Sequence, residues 1–274
     1  MLKQRVITAT VLLVLFLSAL FLLPATGWMV LVTIMVLQGV SEWARLAKLP
    51  ATSARAYWWI TLAVMAGITW SDSSQTLAQT ATLHFVIYAI SVLLWVIVVP
   101  AWLIAGWQVR QPLLMALVGW AVLIPTGLAL MDLRAANPWW LLAVMGLVWV
   151  ADIAAYFAGR KFGKNKLAPS ISPGKTWEGV AGALIAVSVY ALLVAWATGL
   201  FSATHLLPGL LLASWWWVGL AVIGDLFESA VKRQAGVKDS GELLPGHGGL
   251  LDRIDALTST LPLAALAMML QTMS

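Results

Sequence analysis

Cysteine is absent from this chain and charge is scarce. Without a thiol there is no disulfide framework and no thiolate chemistry. Only 10% of the 274 residues are charged, against 62% that are hydrophobic. A soluble domain carries about a quarter of charged residues, so the composition excludes a water-soluble globule and indicates a membrane protein. An internal repeat is missing too, which removes the usual pointer to an inverted-repeat transporter. No small-residue cleavage site follows the first apolar run, where Leu20 to Pro24 read Leu-Phe-Leu-Leu-Pro. Lys3 and Arg5 therefore introduce a retained helix rather than a signal peptide. The basic residues lie in loops between apolar runs. The formal charge of +5 accordingly reads as membrane topology and not as a nucleic-acid-binding face.

A helix crosses the bilayer core with about 20 mostly apolar residues. The chain offers nine candidate runs, at 6–24, 28–47, 56–70, 82–106, 112–132, 138–159, 177–198, 206–228 and 252–271. The expected fold is all-α and polytopic. With the N-terminus in the cytoplasm, nine spans leave only Arg134, of 16 Lys and Arg, on the outside. That satisfies the positive-inside bias and puts the C-terminus outside. Trp28, Trp107, Trp139, Trp140 and Trp177 lie near run ends and read as interfacial anchors. His84 also reads as interfacial, and Glu42 with Arg45 as a helix-end ion pair. Pro100 and Pro125 fall inside runs and are expected to kink them. Two regions follow: an N-terminal bundle over 1–140, poor in chemistry, and a catalytic region over 141–274.

The character changes near residue 150. Asp152 lies about two turns before the end of the sixth run, and a carboxylate inside a span is a functional candidate. Tyr156, four residues on, shares its helix face. After the basic stretch Gly159 to Lys166 comes Ser172-Pro-Gly-Lys-Thr-Trp-Glu-Gly179. Gly-Lys-Thr here is not a Walker A loop, because the first glycine of that spacing is missing and no strand precedes it. Pro173 ends any preceding helix, Thr176 can cap the next one, and Lys175 can meet phosphate. Farther on, Asp225, Glu228, Ser229 and Lys232 follow i, i+3, i+4, i+7 spacing and share one face if the helix continues. Asp252 and Asp255 open the ninth run. Asp152, Glu178, Asp225, Glu228, Asp252 and Asp255 thus gather at one end of four consecutive spans. Carboxylates at one depth, interleaved with bases, predict a divalent-metal and phosphate site facing the cytoplasm. A transporter would place such groups nearer the midplane.

The densest stretch is Ser229 to Asp255, SAVKRQAGVKDSGELLPGHGGLLDRID. It resembles the signature of the phosphatidate cytidylyltransferases, the CDP-diacylglycerol synthases, and 172–179 resembles a second conserved block of that family. The resemblance covers 150–260; over 1–140 it is one of hydropathy alone. It implies transfer of the cytidylyl group of CTP to phosphatidate, a requirement for Mg²⁺ with room for a second metal ion, and a homodimer in the bacterial inner membrane. On this reading Asp225 and Asp252 lead the metal ligands, with Asp255, Glu228 and Asp152 in support. Lys175, Lys232, Arg233, Lys238 and Arg253 neutralise phosphates, joined by Ser172, Thr176 and Ser229. Gly246, Gly248 and Gly249 allow close backbone approach, and His247 is a phosphate or structural contact rather than a base. A polyprenol kinase that uses CTP, or a lipid transporter, is the alternative.

Overall fold

Prolines and glycines set the helix boundaries. The computed structural model describes residues 2–74, 76–243 and 248–273. Within them α1 runs Leu2–Leu22, α2 Ala25–Leu46, α3 Ala51–Ser74, α4 Leu77–Leu93, α5 Val99–Ala105, α6 Pro112–Ala136, α7 Pro138–Phe162, α8 Trp177–Ala197, α9 Leu207–Ala235 and α10 Leu251–Met273. Pro24 precedes α2, and Pro112 and Pro138 open α6 and α7. Proline's fixed φ suits a first turn, where its missing N–H is not needed. Gly106 and Gly236 end α5 and α9 in the left-handed conformation, at φ 63° and 83°, which favours glycine.

Interior prolines act locally. Pro100 cannot bond the Val96 carbonyl, and the chain ahead of it widens into π-helix over Leu94–Val98, joining α4 to α5. In α10, Pro262 leaves the Thr258 carbonyl without its usual partner. Thr126 Oγ1, beside Pro125 of α6, reaches that oxygen at 3.4 Å.

The protein is an all-α polytopic membrane protein. Seven described helices are long and apolar enough to cross a membrane: Ala25–Leu46, Gln79–Ala105, Pro112–Ala136, Pro138–Phe162, Trp177–Ala197, Thr204–Ala235 and Leu251–Gln271. The other two expected runs fall on α1, whose described apolar stretch is Thr8–Leu22, and on α3. The latter mixes its apolar residues with Arg55, Ser71 and Asp72. One short feature departs from all-α. Lys166–Ala168 (β1) pairs antiparallel with Ser172–Thr176 (β2), Lys166 opposite Thr176 and Ala168 opposite Ser172.

Two packings bring the chemistry-bearing segments together. Phe227 of α9 is buried and sits edge-on to Trp95 and Trp102, with ring centroids 5.5 and 5.4 Å away, and tilted against Trp43 of α2 at 6.3 Å. That aromatic nest fixes the rotation of α9. Small residues let α7 and α8 approach closely: a Cβ on Gly179 would lie 2.9 Å from the Ala155 carbonyl, and one on Gly182 would collide with Ala158. The β-hairpin turns the chain between them, so α7 ends where α8 begins.

At the other end of the bundle His84 is not merely interfacial. It is buried, with Nδ1 2.8 Å from Asp132 and Nε2 3.0 Å from Asp72, and Tyr88 donates its hydroxyl to Asp132 at 2.7 Å. Arg134 caps carbonyls of Leu20 and Leu23 and lies over the Trp28 ring. These contacts tie α1, α2, α3, α4 and α6 together without reaching the other end.

Candidate active site

The expected face of α9 exists because the helix continues unbroken to Ala235. Ser229 donates its hydroxyl to Asp225 at 3.3 Å, and Lys232 donates to Glu228 Oε2 at 2.8 Å. Glu228 and Lys232 are buried, 4% and 8% exposed. A second carboxylate completes the pair: Lys232 Nζ lies 2.6 Å from Asp252 Oδ1 at the start of α10. Removing one partner from such a buried ion group costs about 3–5 kcal/mol, because the charge left behind is uncompensated.

Lys175 arrives on β2 and meets α9 one turn away from Glu228. Its ammonium is 2.6 Å from Asp225 Oδ2. Thr176, next in the chain, caps α8 as expected, its Oγ1 accepting from Gly179 N at 3.1 Å. Ser172 sits at the far end of the same strand, opposite Ala168. Asp152 of α7 lies within electrostatic range of Asp225 and Lys175. Asp255 lies within range of Asp225, Glu228 and Asp152, and its Oδ1 accepts from Ala256 N at 2.8 Å. Asp152, Asp225, Glu228 and Asp255 therefore form one group of carboxyls, with Lys175 paired to Asp225 and Lys232 to Glu228.

Three expected participants point elsewhere. The Glu178 carboxylate accepts from the backbone and side-chain amides of Asn165, at 3.2 and 2.8 Å, and closes the base of the hairpin. Tyr156 is exposed and accepts from Arg160 at 3.2 Å. Arg233 is exposed and donates to the Val237 carbonyl at 3.1 Å, finishing α9 instead of facing Lys232. Lys238 and Arg253 are exposed on the loop and on the first turn of α10. Gly246 and His247 lie outside the described residues.

Asp252 has little capacity left. Beyond Lys232 on Oδ1, its Oδ2 accepts from Ser240 N at 2.9 Å, Ser240 Oγ at 2.9 Å and Gly249 N at 2.8 Å. The loop from α9 to α10 is folded onto this one oxygen. Gly248 is needed for the fold-back, since it has φ +79° and a Cβ there would lie 2.6 Å from Asp252 Oδ2. Among the described residues, no three Asp, Glu or His side chains are grouped as they stand to hold a metal ion. One atom is conspicuous: Glu228 Oε1 is buried with no hydrogen-bond partner.

Sequence reasoning missed Glu42. It is not in the described ion pairs with Arg45, which instead donates weakly to the Ser240 carbonyl at 3.4 Å. Glu42 is fully buried against the loop, 0% exposed. The available signal was a carboxylate near the end of an apolar span, which the neighbouring arginine explained too readily.

Lysines and carboxylates from α7, β2, α9 and α10 thus meet in one cluster of a polytopic membrane protein. Residues 3–271 match the cytidylyltransferase family, and the chain belongs to that family. It is 38% identical over 282 residues to the phosphatidate cytidylyltransferase of Haemophilus influenzae, covering 96% of each chain. It is 40% identical over 267 residues to that of Pseudomonas aeruginosa, covering 97% of this chain and 96% of the other. With the enzyme of the same name from Thermotoga maritima the identity is 41% over 139 residues, about half of each chain.

Gly248→Ala is expected to lower stability by about 1–3 kcal/mol, since a side chain in the left-handed region is strained and this one also meets Asp252. Thermal unfolding in detergent measures the loss. An unchanged midpoint would mean that the fold-back onto Asp252 is not rigid.

Proposed function

We propose that this chain transfers the cytidylyl group of CTP to phosphatidate, giving CDP-diacylglycerol and pyrophosphate. The observation that carries the reading is the pairing of Lys175 and Lys232 with carboxylates of α9 and α10. It occurs in a chain aligned over 96–97% of its length with enzymes named for that reaction. A phosphate oxygen of phosphatidate attacks the α-phosphorus of CTP. A new P–O bond forms as the bond to the oxygen bridging the β-phosphate breaks, and pyrophosphate leaves with that electron pair. The attacking phosphate is already largely ionised near neutral pH, so no strong base is needed. The residues contribute position and charge neutralisation. Lys175, on a strand beside the cluster, and Lys232, fixed between two carboxylates, present ammonium groups to phosphate oxygens. Arg233, Lys238 and Arg253 add charge from the loop and its borders. Ser172, Thr176 and Ser229 add hydroxyl groups, and Gly248 and Gly249 allow close backbone approach.

We assign the site one Mg²⁺ ion. The support is the unpartnered Glu228 Oε1, buried within electrostatic range of Asp225 and Asp255 in a donor set made of hard oxygens. Asp225, Glu228 and Asp255 would hold it, with Asp152 behind them. Bound, it supplies positive charge to the nucleotide phosphates and the leaving pyrophosphate. Asp252 we assign to Lys232 and the loop, because both its oxygens are engaged there. We also propose nine spans in a bacterial cytoplasmic membrane, with α1 and α3 crossing, the N-terminus and active site facing the cytoplasm, and a homodimer as the working unit.

Purified protein given phosphatidate, Mg²⁺ and CTP labelled in the cytosine ring should put label into the lipid phase. Label confined to water-soluble products overturns the reading. Asp225→Asn keeps the shape and removes the charge. It is expected to insert normally and lose roughly two to three orders of magnitude in turnover, as when transition-state charge stabilisation is removed. A chelator should abolish wild-type turnover and Mg²⁺ restore it. Asp225→Asn turning over near the wild-type rate would remove that residue from the metal site. A C-terminal reporter that works only in the cytoplasm should be silent, and a strong signal would mean that one proposed span does not cross.

A further inference from the structure

Glu42 precedes Ser240 by 198 residues and Leu251 by 209, yet its carboxylate is the point on which both ends of the signature loop converge. Its Oε1 accepts from Gln38 Nε2 and Leu250 N, each at 2.9 Å, and its Oε2 from Leu251 N at 2.9 Å and Ser240 Oγ at 2.8 Å. The two backbone donors lie where α10 starts, and amides there have no intrahelical partner. A buried carboxylate at that place answers them and is favoured by the helix dipole. The fit leaves no slack. A Cβ on Gly249 would collide with Ser240 Oγ and Glu42 Oε2, and one on Gly241 would lie 3.1 Å from Glu42 Oε1.

We propose that Glu42 is a positioning residue of the cytidylyl-transfer site. It acts through Ser240, whose hydroxyl lies 2.8 Å from Glu42 Oε2 and 2.9 Å from Asp252 Oδ2. A hydroxyl carries one proton, so that proton is shared between two carboxylates, and a shift of either moves the other. Asp252 in turn holds Lys232, and Lys232 holds Glu228. Glu42 therefore sets the height and rotation at which α10 presents Asp252 to α9, and with them the placement of the Lys232 ammonium. Its four hydrogen-bond partners, Gln38, Ser240, Leu250 and Leu251, are all groups of the fold. The role in catalysis rests on the functional reading above; the role in fixing the loop rests on geometry alone.

Because the chain has no cysteine, one introduced thiol reports one place. A nitroxide on Glu242→Cys, exposed in the loop, is compared with one on Ser202→Cys, exposed at the opposite end of α8 and α9. Glu42→Gln keeps the shape but turns one acceptor into a donor facing other donors. It is expected to mobilise the Glu242 label and leave the Ser202 label unchanged. Turnover should fall on the order of tenfold to a hundredfold, the scale of a displaced catalytic group, with KM for phosphatidate within about twofold. Adding Ser240→Ala to Glu42→Gln should lower turnover by less than the product of the separate effects, since one path is cut twice. If Glu42→Gln does not fold, Ser240→Ala alone carries the same label and turnover comparison. Retained turnover overturns the proposal whatever the label does. Lost turnover with an unmoved Glu242 label overturns it also, and mobilisation of both labels reduces Glu42 to a general support of the fold. A wild-type protein that puts no cytidine label into lipid sinks the functional reading, while the label comparison still judges the loop.

Discussion

The ammonium group of Lys232 is the charge around which α9, α10 and the loop between them are arranged. Lys232 is 8% exposed, in surroundings where an unpaired charge costs several kcal/mol. Helix geometry supplies its first partner, since Glu228 is one turn back on the same face. The second, Asp252, demands that α10 begin beside α9. That approach depends on the residue before Asp225: a Cβ on Gly224 would lie 2.6 Å from Ser259 Oγ and 2.7 Å from the Asp255 carbonyl. The Phe227 nest then holds the face in rotation, so Glu228 and Lys232 have little choice of direction.

Asp252 and Glu42 divide the work of holding the loop. Asp252 gathers Ser240 and Gly249 onto one oxygen, and Glu42 gathers Ser240, Leu250 and Leu251. Buried loop backbone would otherwise leave polar groups unsatisfied. Here the groups that satisfy it are charged, which makes the bonds stronger and less forgiving of displacement. Gly241, Gly248 and Gly249 lie against those two carboxylates, where a Cβ would meet Glu42 or Asp252.

Local features were legible in the sequence, and long-range ones were not. The face Asp225, Glu228, Ser229, Lys232 follows from helix periodicity alone, as does the Thr176 cap from its position before an apolar run. The membrane class follows from composition. The β-hairpin at 166–176 was missed because three to five residues make too short a period to detect, although Pro173 ruled out helix. Glu178 was grouped with the other carboxylates by its depth in the chain. Depth does not fix direction, and its side chain turns toward Asn165. Glu42 was hidden by an obvious neighbour: Arg45 offered a local partner, whereas the real donors come from residues some two hundred positions away. Arg233 and Lys232 are adjacent in sequence, yet consecutive helix positions point about 100° apart, and only Lys232 faces the carboxylates while Arg233 is exposed.

The balance of charge in the site bears on how a nucleotide can bind there. Asp152, Asp225, Glu228, Asp252 and Asp255 lie near one another, and Lys175 and Lys232 form ion pairs within this cluster. If all were charged, like charges about 4 Å apart would repel by roughly 4 kcal/mol at an effective dielectric of 20, so such a cluster opposes the folded state unless cations or protons offset it. It also opposes the approach of a polyphosphate, whose charge has the same sign. Lysines alone cannot resolve both conflicts, because an ammonium that turns to phosphate leaves a carboxylate uncompensated. Cationic charge added from outside the cluster would relieve both. The exposed bases on the loop and its borders can meet the outer phosphates, but Glu228 Oε1 is buried and needs a partner small enough to enter. That need is the physical ground for assigning a divalent ion to Asp225, Glu228 and Asp255, and for leaving Asp252 to the lysine it already holds.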